Sequence, residues 1–551
     1  MAVIAPNSEI YLIKCPIELD NENQLSFANA TAQHNYFNGL PKIALTKATF
    51  QRKDGTIRWP GSMEDILEYN YCMYRNKNHG NKWFYAFIEN MEYISDSMTA
   101  IKIKTDVWQT WQFGLSWKSC FVEREHVNDD TFGSNLVDEG LETGEYICEK
   151  QTDVSYNHIT GSTLVSGYYI VMQLTELPNN QSLPSGCGKV VGNIPNGLYY
   201  MAFKYNIGGM LDVNKVITWF DENKDGNGIV AMFLAPETIA PMVKRMTPLA
   251  SDGTNLVEAY YPQETEVPTL MKSSITFAKD ATLDGYTPKN NKVYCWPYNY
   301  MLISNGNGAT FEYRFEDFNI NSLTGEIGDP DYSIIGTLTQ GCQVKLYPTN
   351  YRKSTQVSGN WDYGINGAEY PILSWTSDYY LNWKAQNQSY LYAQTGLNVV
   401  TSIASAALKG PNIVEAGLAA ANVGSSILSA MQQENIAART PDQAKGNTAS
   451  GDLNFSNGMD VFIFKQMCVR YEYAKRIDDF FSAYGYRVNS YKIPNRSGRS
   501  NWNYVKTRGC NITGDMPQSD IEEIKEMFNR GVTIWHNPTT FLDYSQTNNI
   551  V

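Results

Sequence analysis

The stretch WFYAFIENMEYISDSMTAIKIK, residues 83–104, carries the clearest fold signal in the chain. Trp83 to Ile94 and Ala100 to Lys104 are rich in aromatic and β-branched residues and show the two-residue period of strands. Ser95 to Ser97 lie between them, and short polar side chains of this kind favour a turn. The stretch therefore predicts a pair of β-strands.

The same bias extends along the chain. Aromatic residues make up 13% of the 551 residues, with 37 Tyr among them, and such residues fit pleated surfaces. A chain of this length exceeds one hydrophobic core, so roughly two to four domains are expected. We predict a mainly β (α+β) fold with four segments, residues 1–150, 151–384, 385–445 and 446–551.

Charge and cysteine usage narrow the class of protein. The formal net charge of −13 favours solubility and argues against general affinity for nucleic acid. The nine cysteines are scattered without a CxxC pair, which is typical of reduced thiols in a protein made in cytoplasm. The N-terminal residues lack a basic segment followed by an apolar one, so no signal peptide is predicted.

An apolar block interrupts this polar chain. Ala385 to Gln433 contains only two charges, Lys409 and Glu415, where the chain average of 18% would place about nine in 49 residues. Gly410-Pro411 breaks the block, so we predict a helical or loop hairpin.

Three environments fit this hairpin, namely a core of its own protomer, contact with copies of itself, or lipid. The second arm, Asn412 to Met431, has the length of about 20 residues that spans a bilayer. Gly417 and Ala421 are spaced for close helix approach, whereas Glu415 is costly in lipid. The candidate plug or membrane-active residues are Leu397, Val399, Val400, Ile403, Leu408, Ile413, Val414, Leu418, Val423, Ile427 and Leu428.

A basic region follows. Phe480 to Gly514 contains no Asp or Glu and interleaves cations with Tyr and Trp, as a nucleic-acid groove does. The alternative is a basic surface that pairs with acidic neighbours on another subunit. We expect the region to be loop-like. Its cations are Arg487, Lys492, Arg496, Arg499, Lys506 and Arg508.

The sequence contains only weak signals for a catalytic or metal-binding site. Asp221 to Gly226 matches the first half of a calcium loop, but Met232 stands where a bidentate Glu belongs, so a surface turn after a helix at Leu211 to Phe220 is the better interpretation. Glu123 and Glu125 would share one face of a strand, solvated or salt-bridged. The five His lack zinc-site spacing, and no nucleophile elbow or phosphate loop occurs. We therefore predict no catalytic, cofactor or metal site and no enzymatic activity.

Two elements near the C-terminus have clear patterns. Val461 to Tyr473 predicts one long strand. Pro517 and Ser519, with Glu522 three residues after the serine, predict a capped helix that ends before Gly531, and a strand at Val532 to His536 follows.

At both ends, the chain resembles the distal tail-tube, or tail-knob, proteins of small short-tailed phages that infect Gram-positive bacteria. The matching strings occur in the same order and include rare aromatic combinations. They are Asn81 to Phe87 (NKWFYAF), Asp106 to Trp111 (DVWQTW), Phe121 to Val127 (FVEREHV), Val137 to Leu141 (VDEGL), Phe480 to Tyr486 (FFSAYGY), Asn503 to Thr507 (NYVKT), Gly514-Asp515, and Gly531 to His536 (GVTIWH).

The resemblance implies a hexameric tube with a wall of β-barrel-like tail-tube domains. Residues 1–150 and 446–551 would form that wall, and residues 151–384 a β-rich middle region. Residues 385–445 would hold an apolar loop, roughly Gln388 to Thr440, that plugs the tube and later perforates the host membrane.

The partners that follow from the resemblance are five further copies, the upper-tube and tail-tip proteins, passing double-stranded DNA and the host membrane. No cofactor is expected, and the protein would lie at the distal end of the virion tail after synthesis in the host cytoplasm. Six copies would carry 6 × −13 = −78 formal charges, and an acidic lumen would let DNA slide. A receptor-binding or cell-wall-degrading tail component is the alternative.

Overall fold

The computed structural model confirms a mainly β fold. It describes residues 8–48, 55–77, 80–156, 168–174, 177, 183–188, 190–191, 194–195, 198–204, 229–236, 242–248, 256–263, 269–318, 329–336, 338, 344–352, 363–367, 372–374 and 461–551.

The strands follow in chain order. The N-terminal part holds β1 (Ser8–Ile13), β2 (Asn23–Leu25), β3 (Lys42–Ala48), β4 (Thr56–Trp59), β5 (Tyr71–Asn76), β6 (Phe84–Ser95), β7 (Met98–Thr105), β8 (Leu115–Trp117) and β9 (Cys120–Glu125). The middle holds β10 (Tyr146–Ser155), β11 (Tyr168–Leu174), β12 (Val190–Val191), β13 (Ile194–Pro195), β14 (Tyr199–Lys204), β15 (Ile229–Pro236), β16 (Met242–Pro248), β17 (Leu256–Pro262), β18 (Thr269–Thr276), β19 (Asn299–Ser304), β20 (Thr310–Tyr313), β21 (Asp331–Gly336), β22 (Val344–Pro348), β23 (Ile365–Asn366), β24 (Ile372–Ser374) and β25 (Val461–Val469). The C-terminal part holds β26 (Tyr486–Lys492), β27 (Trp502–Arg508), β28 (Ile512–Gly514) and β29 (Val532–Trp535).

Helices are few among the described residues. They are α1 (Ala30–Gly39), α2 (Val107–Trp111), α3 (Tyr471–Tyr484) and α4 (Gln518–Arg530), with short 3₁₀ turns at Asn291–Tyr294, Phe315–Asp317 and Pro538–Thr540.

The chain divides into two compact units. The first unit contains Met1–Glu145, Gly285–Cys295 and Arg470–Val551, and the second contains Tyr146–Asp284 and Trp296–Val469. The first unit is therefore built from three separate pieces of sequence. The four segments predicted from sequence remain predictions as domain boundaries, and they did not anticipate that Gly285–Cys295 joins the chain ends.

One sheet of the first unit has the strand order β3-β1-β5-β6-β7-β4. The predicted strand pair at residues 83–104 is confirmed as β6 and β7, which pair antiparallel from Ala86↔Thr105 to Ser95↔Met98. One face of the sheet buries an aliphatic cluster that includes Ile10, Leu12 and Ile101. The opposite face packs against Phe37 of α1 and against Trp502 and Trp535.

The second sheet of the first unit joins the two ends of the chain. Its order is β2-β29-β27-β9-β26, with β2 parallel to β29 and the other pairs antiparallel. This one sheet thus combines β2 and β9 from residues 23–125 with β26, β27 and β29 from residues 486–535. Helix α4 covers one face of this sheet through Ile524, Met527 and Phe528.

The second unit is also made of sheets. A four-stranded sheet has the order β10-β25-β19-β20, and a six-stranded sheet has the order β16-β17-β14-β11-β15-β24. A further four-stranded sheet has the order β18-β21-β22-β23. Aromatic rings fill much of its described core, where Tyr313 packs on Tyr332 and Tyr351 with ring centroids 5.3 Å apart in both pairs.

The prediction of one strand from Val461 to Tyr473 is wrong at its end. Strand β25 stops at Val469, Arg470 is extended, and α3 begins at Tyr471. The spacing of buried residues changes there from every second residue to Ala474, Ile477 and Phe481, which is the period of a helix. Tyr471 and Tyr473 also fit the pattern of a strand, so the sequence did not show that change.

The predicted cap at Ser519 is also wrong. Helix α4 begins at Gln518 after Pro517, and the Ser519 hydroxyl contacts Asp520 Oδ1 at 3.1 Å. Glu522 instead accepts hydrogen bonds from Gln518 and Lys525. The predicted helix end before Gly531 is confirmed, since Gly531 has φ +109° and donates its N–H to Met527. The predicted strand after it is confirmed as β29.

Candidate functional site

Much of the basic region 480–514 forms strands and not the predicted loop, although residues 480–484 belong to α3 and residues 493–501 connect β26 to β27. Arg487 and Lys492 lie on β26, and Lys506 and Arg508 lie on β27, on either side of β9 in the sheet. Arg496 and Arg499 lie in the connection between the two strands. The structure therefore distributes the six cations over one sheet and its adjoining loop.

Strand β9 supplies the acids that the basic region lacks. Glu123 accepts from Lys506 Nζ and from Arg508 Nε, both at 3.1 Å, and these contacts lower the pKa of its carboxyl although partial burial opposes them. Lys492 pairs with Glu125, which also accepts the Asn495 N–H at 2.7 Å. The acidic partners of these three cations thus come from the same chain, and the two roles predicted for the basic region, contact with nucleic acid or with another subunit, remain predictions.

Glu123 and Glu125 do not share an environment, so the prediction of a common face is wrong. The register between β9 and β27 shifts at Lys506/Thr507, which leaves Glu123 as an extra residue opposite β27. Such a bulge reverses the alternation of side chains along the strand. Glu123 is consequently partly exposed, whereas Glu125 is fully buried.

Arg496 and Arg499 are largely withdrawn from solvent. The Arg496 guanidinium lies 4.3 Å from the ring centre of Trp117. Arg499 donates to the carbonyl oxygens of Val127 at 3.1 Å and Asn548 at 3.3 Å. Burial lowers the pKa of both guanidinium groups. These two residues therefore stabilise the loop after β26 and do not form an open basic surface.

A buried ionic cluster lies beside this sheet. Glu139 is fully buried and forms ion pairs with Arg124 on β9 and with Lys292. It also accepts the Arg487 backbone N–H at 2.9 Å. Burial lowers the pKa of Lys292 even though Glu139 opposes that change. One carboxylate thereby joins the 137–141 loop, β9, β26 and the 285–295 segment.

Two further carboxylates hold the 285–295 segment. Asp478 on α3 is fully buried and accepts from Tyr286 Oη, from the backbone N–H groups of Lys289 and Asn290, and from the Asn290 side chain at 2.8–3.0 Å. Asp130 accepts the Asn291 N–H at 3.2 Å. Charged hydrogen bonds of this kind are stronger than neutral ones and fix geometry.

His126 forms hydrogen bonds with backbone groups of both α3 and β27. Its Nδ1 accepts the Tyr504 N–H at 2.8 Å, so the ring is the neutral tautomer that donates from Nε2 to the Ser482 carbonyl at 3.1 Å. Burial, reinforced by the charge of Arg499, lowers the pKa of His126 to about 3. A ring held neutral between two backbone groups has a structural role and is no proton shuttle.

Part of the sheet still faces solvent. Tyr491 on β26 is 73% exposed and stands opposite Phe121 on β9, which in turn stands opposite Arg508 on β27. This row of two aromatic rings and an exposed guanidinium can bind a partner surface. Its role in contacting DNA or a neighbouring subunit remains a prediction.

The remaining predicted residues lie outside the described part of the chain. They include the helix at Leu211 to Phe220, the turn at Asp221 to Gly226, and the apolar block Ala385 to Gln433 with all eleven candidate plug residues. Within the described ranges, no helix is both long and apolar enough to cross a membrane. The described His, Cys, Asp and Glu side chains form no group of three or more that could hold a metal ion.

Sequence reasoning missed Glu139, Lys292 and Asp478. Glu139 lies inside the string VDEGL, which contributed to the resemblance, but nothing in the sequence indicated its partners. Lys292 lies more than 150 residues away in the chain, and only the fold brings it to Glu139.

Comparison with known proteins extends these findings. The family model for the C-terminal domain of the tail knob protein gp9 of Bacillus phage phi29 matches residues 259–549, and the model for the N-terminus of the caudoviral major tail protein matches residues 7–116. The tail knob proteins gp9 of Bacillus phages B103 and phi29 are both 24% identical to this chain. The alignments cover 95% of this chain in both cases, and 95% and 96% of those relatives.

A solved structure shares the fold. The tail knob protein gp12 of bacteriophage C1 superposes with a TM-score of 0.61 at 12% sequence identity. The match covers 99% of this chain and 100% of that one.

Proposed function

Because the chain belongs to the family of phage tail knob proteins typified by gp9 of Bacillus phage phi29, we propose that six copies of it form the distal tube of a short phage tail and that the genome leaves through this tube. The protein is a structural component of the virion tail. The hexamer, the passage of DNA and the membrane step are the parts that are proposed.

The observation that carries the tube is the sheet β2-β29-β27-β9-β26. It interleaves both chain ends, so the N-terminal and C-terminal strings shared with the family form one body. Buried ion pairs at Glu139 and buried hydrogen bonds at Asp478 and His126 hold that body together. A wall through which DNA passes under pressure requires such rigidity, and buried polar networks supply it.

Symmetry of the assembled particle tests the tube. Purified full-length protein is imaged by electron microscopy at several concentrations, with sedimentation to measure its mass. We expect a ring or tube with sixfold symmetry. A protein that stays monomeric at the highest concentration, or that forms a ring of another order, contradicts the proposal.

The second part of the proposal concerns Ala385 to Gln433. Six apolar hairpins can cover one another inside a tube while stored, and they can enter lipid once released. Deletion of Gly396 to Ala430 should therefore abolish leakage of dye from liposomes and leave ring formation intact. Unchanged leakage would remove the apolar block from this role.

The same purified protein can be used to test the alternative function, a receptor-binding or cell-wall-degrading role. Incubation with purified cell wall should give neither stable binding nor release of reducing sugar ends. Stable binding to the cell wall, or release of reducing sugar ends from it, would indicate a receptor-binding or wall-degrading component.

A further inference from the structure

We propose that the ring closes by pairing two open strand edges of the first unit, the outer half of β6 in one copy and the end of β26 in the next copy. This inference rests on the proposed hexamer and names the surfaces that would form it. The occupant of each edge is a second copy of this chain.

The first open edge is the end of β26. This strand is the last of its sheet, so its far side has no neighbouring strand among the described residues. The 137–141 loop covers only its beginning, through Arg487 N–H to Glu139 and Arg487 Nη1 to the Asp138 carbonyl at 2.9 Å. Beyond that point Tyr491 is 73% exposed and Ile493 is 53% exposed.

Exposed apolar side chains on an unpaired edge are uncommon in a protein that stays alone. Such an edge presents free N–H and C=O groups and promotes pairing with another chain. Natural monomers usually place charge there or cover it. The end of β26 carries the large aromatic Tyr491 beside Lys492, and the branched aliphatic Ile493 follows the strand, so apolar surface lies at this edge together with charge, as at interfaces.

The second open edge is the outer half of β6. Strand β5 pairs only with Phe84–Phe87 of β6, and the register against β7 shifts just beyond, at Ile88/Asn90. From Glu89 to Ser95 the described structure shows β7 alone beside β6. Tyr93 is 60% exposed and Ile94 is 49% exposed.

The two edges have opposite charge. Glu89 and Glu92 lie along the open half of β6, and Asp96 and Glu64 lie close to Tyr93 at its tip. The cation Lys102, which pairs with Glu89 at 3.6 Å, lies on β7, the side away from the open edge.

The partner edge is basic. Arg487 and Lys492 lie on β26 itself, whereas Lys506 and Arg508 lie on β27, two strands in from the edge. Strand β9 lies between them, where Glu125 pairs with Lys492 and Glu123 pairs with Lys506 and Arg508, so part of this positive charge is offset. Opposite potentials of this kind favour contact between unlike edges and disfavour contact between like edges.

Pairing of two different surfaces repeats from copy to copy. A contact of this heterologous type gives either a closed ring or an open filament, and it cannot give an isolated two-fold dimer. Strand pairing would supply backbone hydrogen bonds, while Tyr491, Ile493, Tyr93 and Ile94 would supply the apolar contact.

The first test changes the apolar residues of each edge. Tyr491→Glu with Ile493→Glu should raise the protein concentration needed for half assembly at least tenfold, and Tyr93→Lys with Ile94→Lys should do the same. Leu19→Glu is the matched control, because Leu19 is 50% exposed in the first unit and lies in the connection between β1 and β2, at the other end of the sheet from β26 and outside β6. Sedimentation velocity measures assembly, and thermal melting by circular dichroism checks folding.

The combination of both changes makes the test specific. A protein that carries all four substitutions places new Glu against new Lys, so assembly should recover relative to either pair alone. If the four-residue variant assembles no better than the pairs, the two edges do not face each other and the inference is wrong.

Cross-linking gives a readout that does not depend on weakening the interface. Ile94→Cys combined with Tyr491→Cys, with the exposed Cys148 changed to Ser, should give a ladder of up to six bands with a short bismaleimide. Each single cysteine variant should give no ladder, because like edges do not meet. A ladder from a single variant, or none from the pair, contradicts the inference.

Failure of this inference and failure of the tube can be told apart. Hexamers that persist in both edge variants at unchanged concentration overturn the edge pairing and leave the proposed function standing. Wild-type protein that never assembles overturns both.

Discussion

Both units of this protein pack aromatic rings in their described interiors, but they differ in how far they bury charged groups. The first unit buries charged groups with individual partners, among them Glu139 with Arg124 and Lys292. The described core of the second unit stacks aromatic rings, for example Tyr332 against Phe464 at 5.3 Å between ring centres. A buried charge needs one partner in one place, whereas apolar packing tolerates many combinations of side chains.

The strings on which the resemblance rests occur in the unit that contains the buried charges. Each of the strings lies in the first unit, and several hold a buried polar residue with a specific partner, such as Glu125, His126, Glu139 and Asn503. The middle of the chain offered no such strings. Substitutions in the two units should therefore have different costs.

The largest expected effect is that of Glu139→Ala. It leaves Arg124 and Lys292 buried without their carboxylate, and breaking a buried ion pair in this way costs about 3–5 kcal/mol. Urea unfolding measures the loss. The control is Glu145→Ala, because the Glu145–Arg470 pair is exposed and such pairs contribute about 0–1 kcal/mol. Equal effects of the two substitutions would remove the contrast between buried and surface pairs.

The lowered pKa of His126 predicts that the folded protein loses stability in acid. Its pKa falls from an ordinary 6.5 to about 3 in the folded protein, so the unfolded chain binds a proton first as pH falls. The stabilisation is complete above pH 6.5 and is lost progressively below it. Wild type should lose on the order of 3 kcal/mol more than His126→Gln between pH 7 and pH 4.

The glutamine variant is the appropriate control because its amide can accept the Tyr504 N–H and donate to the Ser482 carbonyl. Unfolding by urea at pH 7, 6, 5 and 4 gives the two curves. Parallel curves would show that the pKa of His126 does not differ between the folded and unfolded states.

Gly485→Ala should cost about 3 kcal/mol. Gly485 has φ +64° and ψ −156°, a region that side chains rarely adopt, and an added Cβ would lie 2.2 Å from the Glu125 carbonyl oxygen. Gly140 has the same φ, and a Cβ there meets no atom within 4 Å, so Gly140→Ala should cost only about 1 kcal/mol. Thermal melting compares them, and a cost for Gly140 as large as that for Gly485 would exclude the close approach as the cause.

Local signals were sufficient for parts of this fold. Strands β6 and β7 were predicted because Trp83 to Lys104 contains both strands and their turn, and the end of α4 was predicted from Gly531. Each depends on residues that are neighbours in sequence.

Features that depend on distant residues could not be predicted. The bulge at Glu123 exists only in relation to β27, nearly 400 residues later, and it separates two carboxylates that the sequence pattern placed on one face. The cations of β26 and β27 had no acidic neighbours in sequence because their partners lie on β9. The predicted roles of the apolar block lie outside the described residues and remain predictions.

The smallest expected effect sharpens the comparison most. Tyr332 Oη in the second unit is buried, and no described group is within hydrogen-bonding distance of it, so Tyr332→Phe removes an unpaired polar group. Because an unpaired buried hydroxyl is costly, the change in unfolding free energy should lie between zero and about 1 kcal/mol of stabilisation.

The same substitution in the first unit should behave differently. Tyr71 Oη donates to Asp106 Oδ2 at 2.9 Å in a fully buried site, and Asp106 in turn accepts the Gln109 N–H at 3.0 Å. Tyr71→Phe leaves that carboxylate with one partner fewer, at a cost of about 1–3 kcal/mol. Two tyrosines that lose the same atom should thus change melting temperature in opposite directions. A loss of stability at both positions would contradict the prediction, because both substitutions keep the ring and remove only the hydroxyl, so the Tyr332 hydroxyl would then contribute to stability.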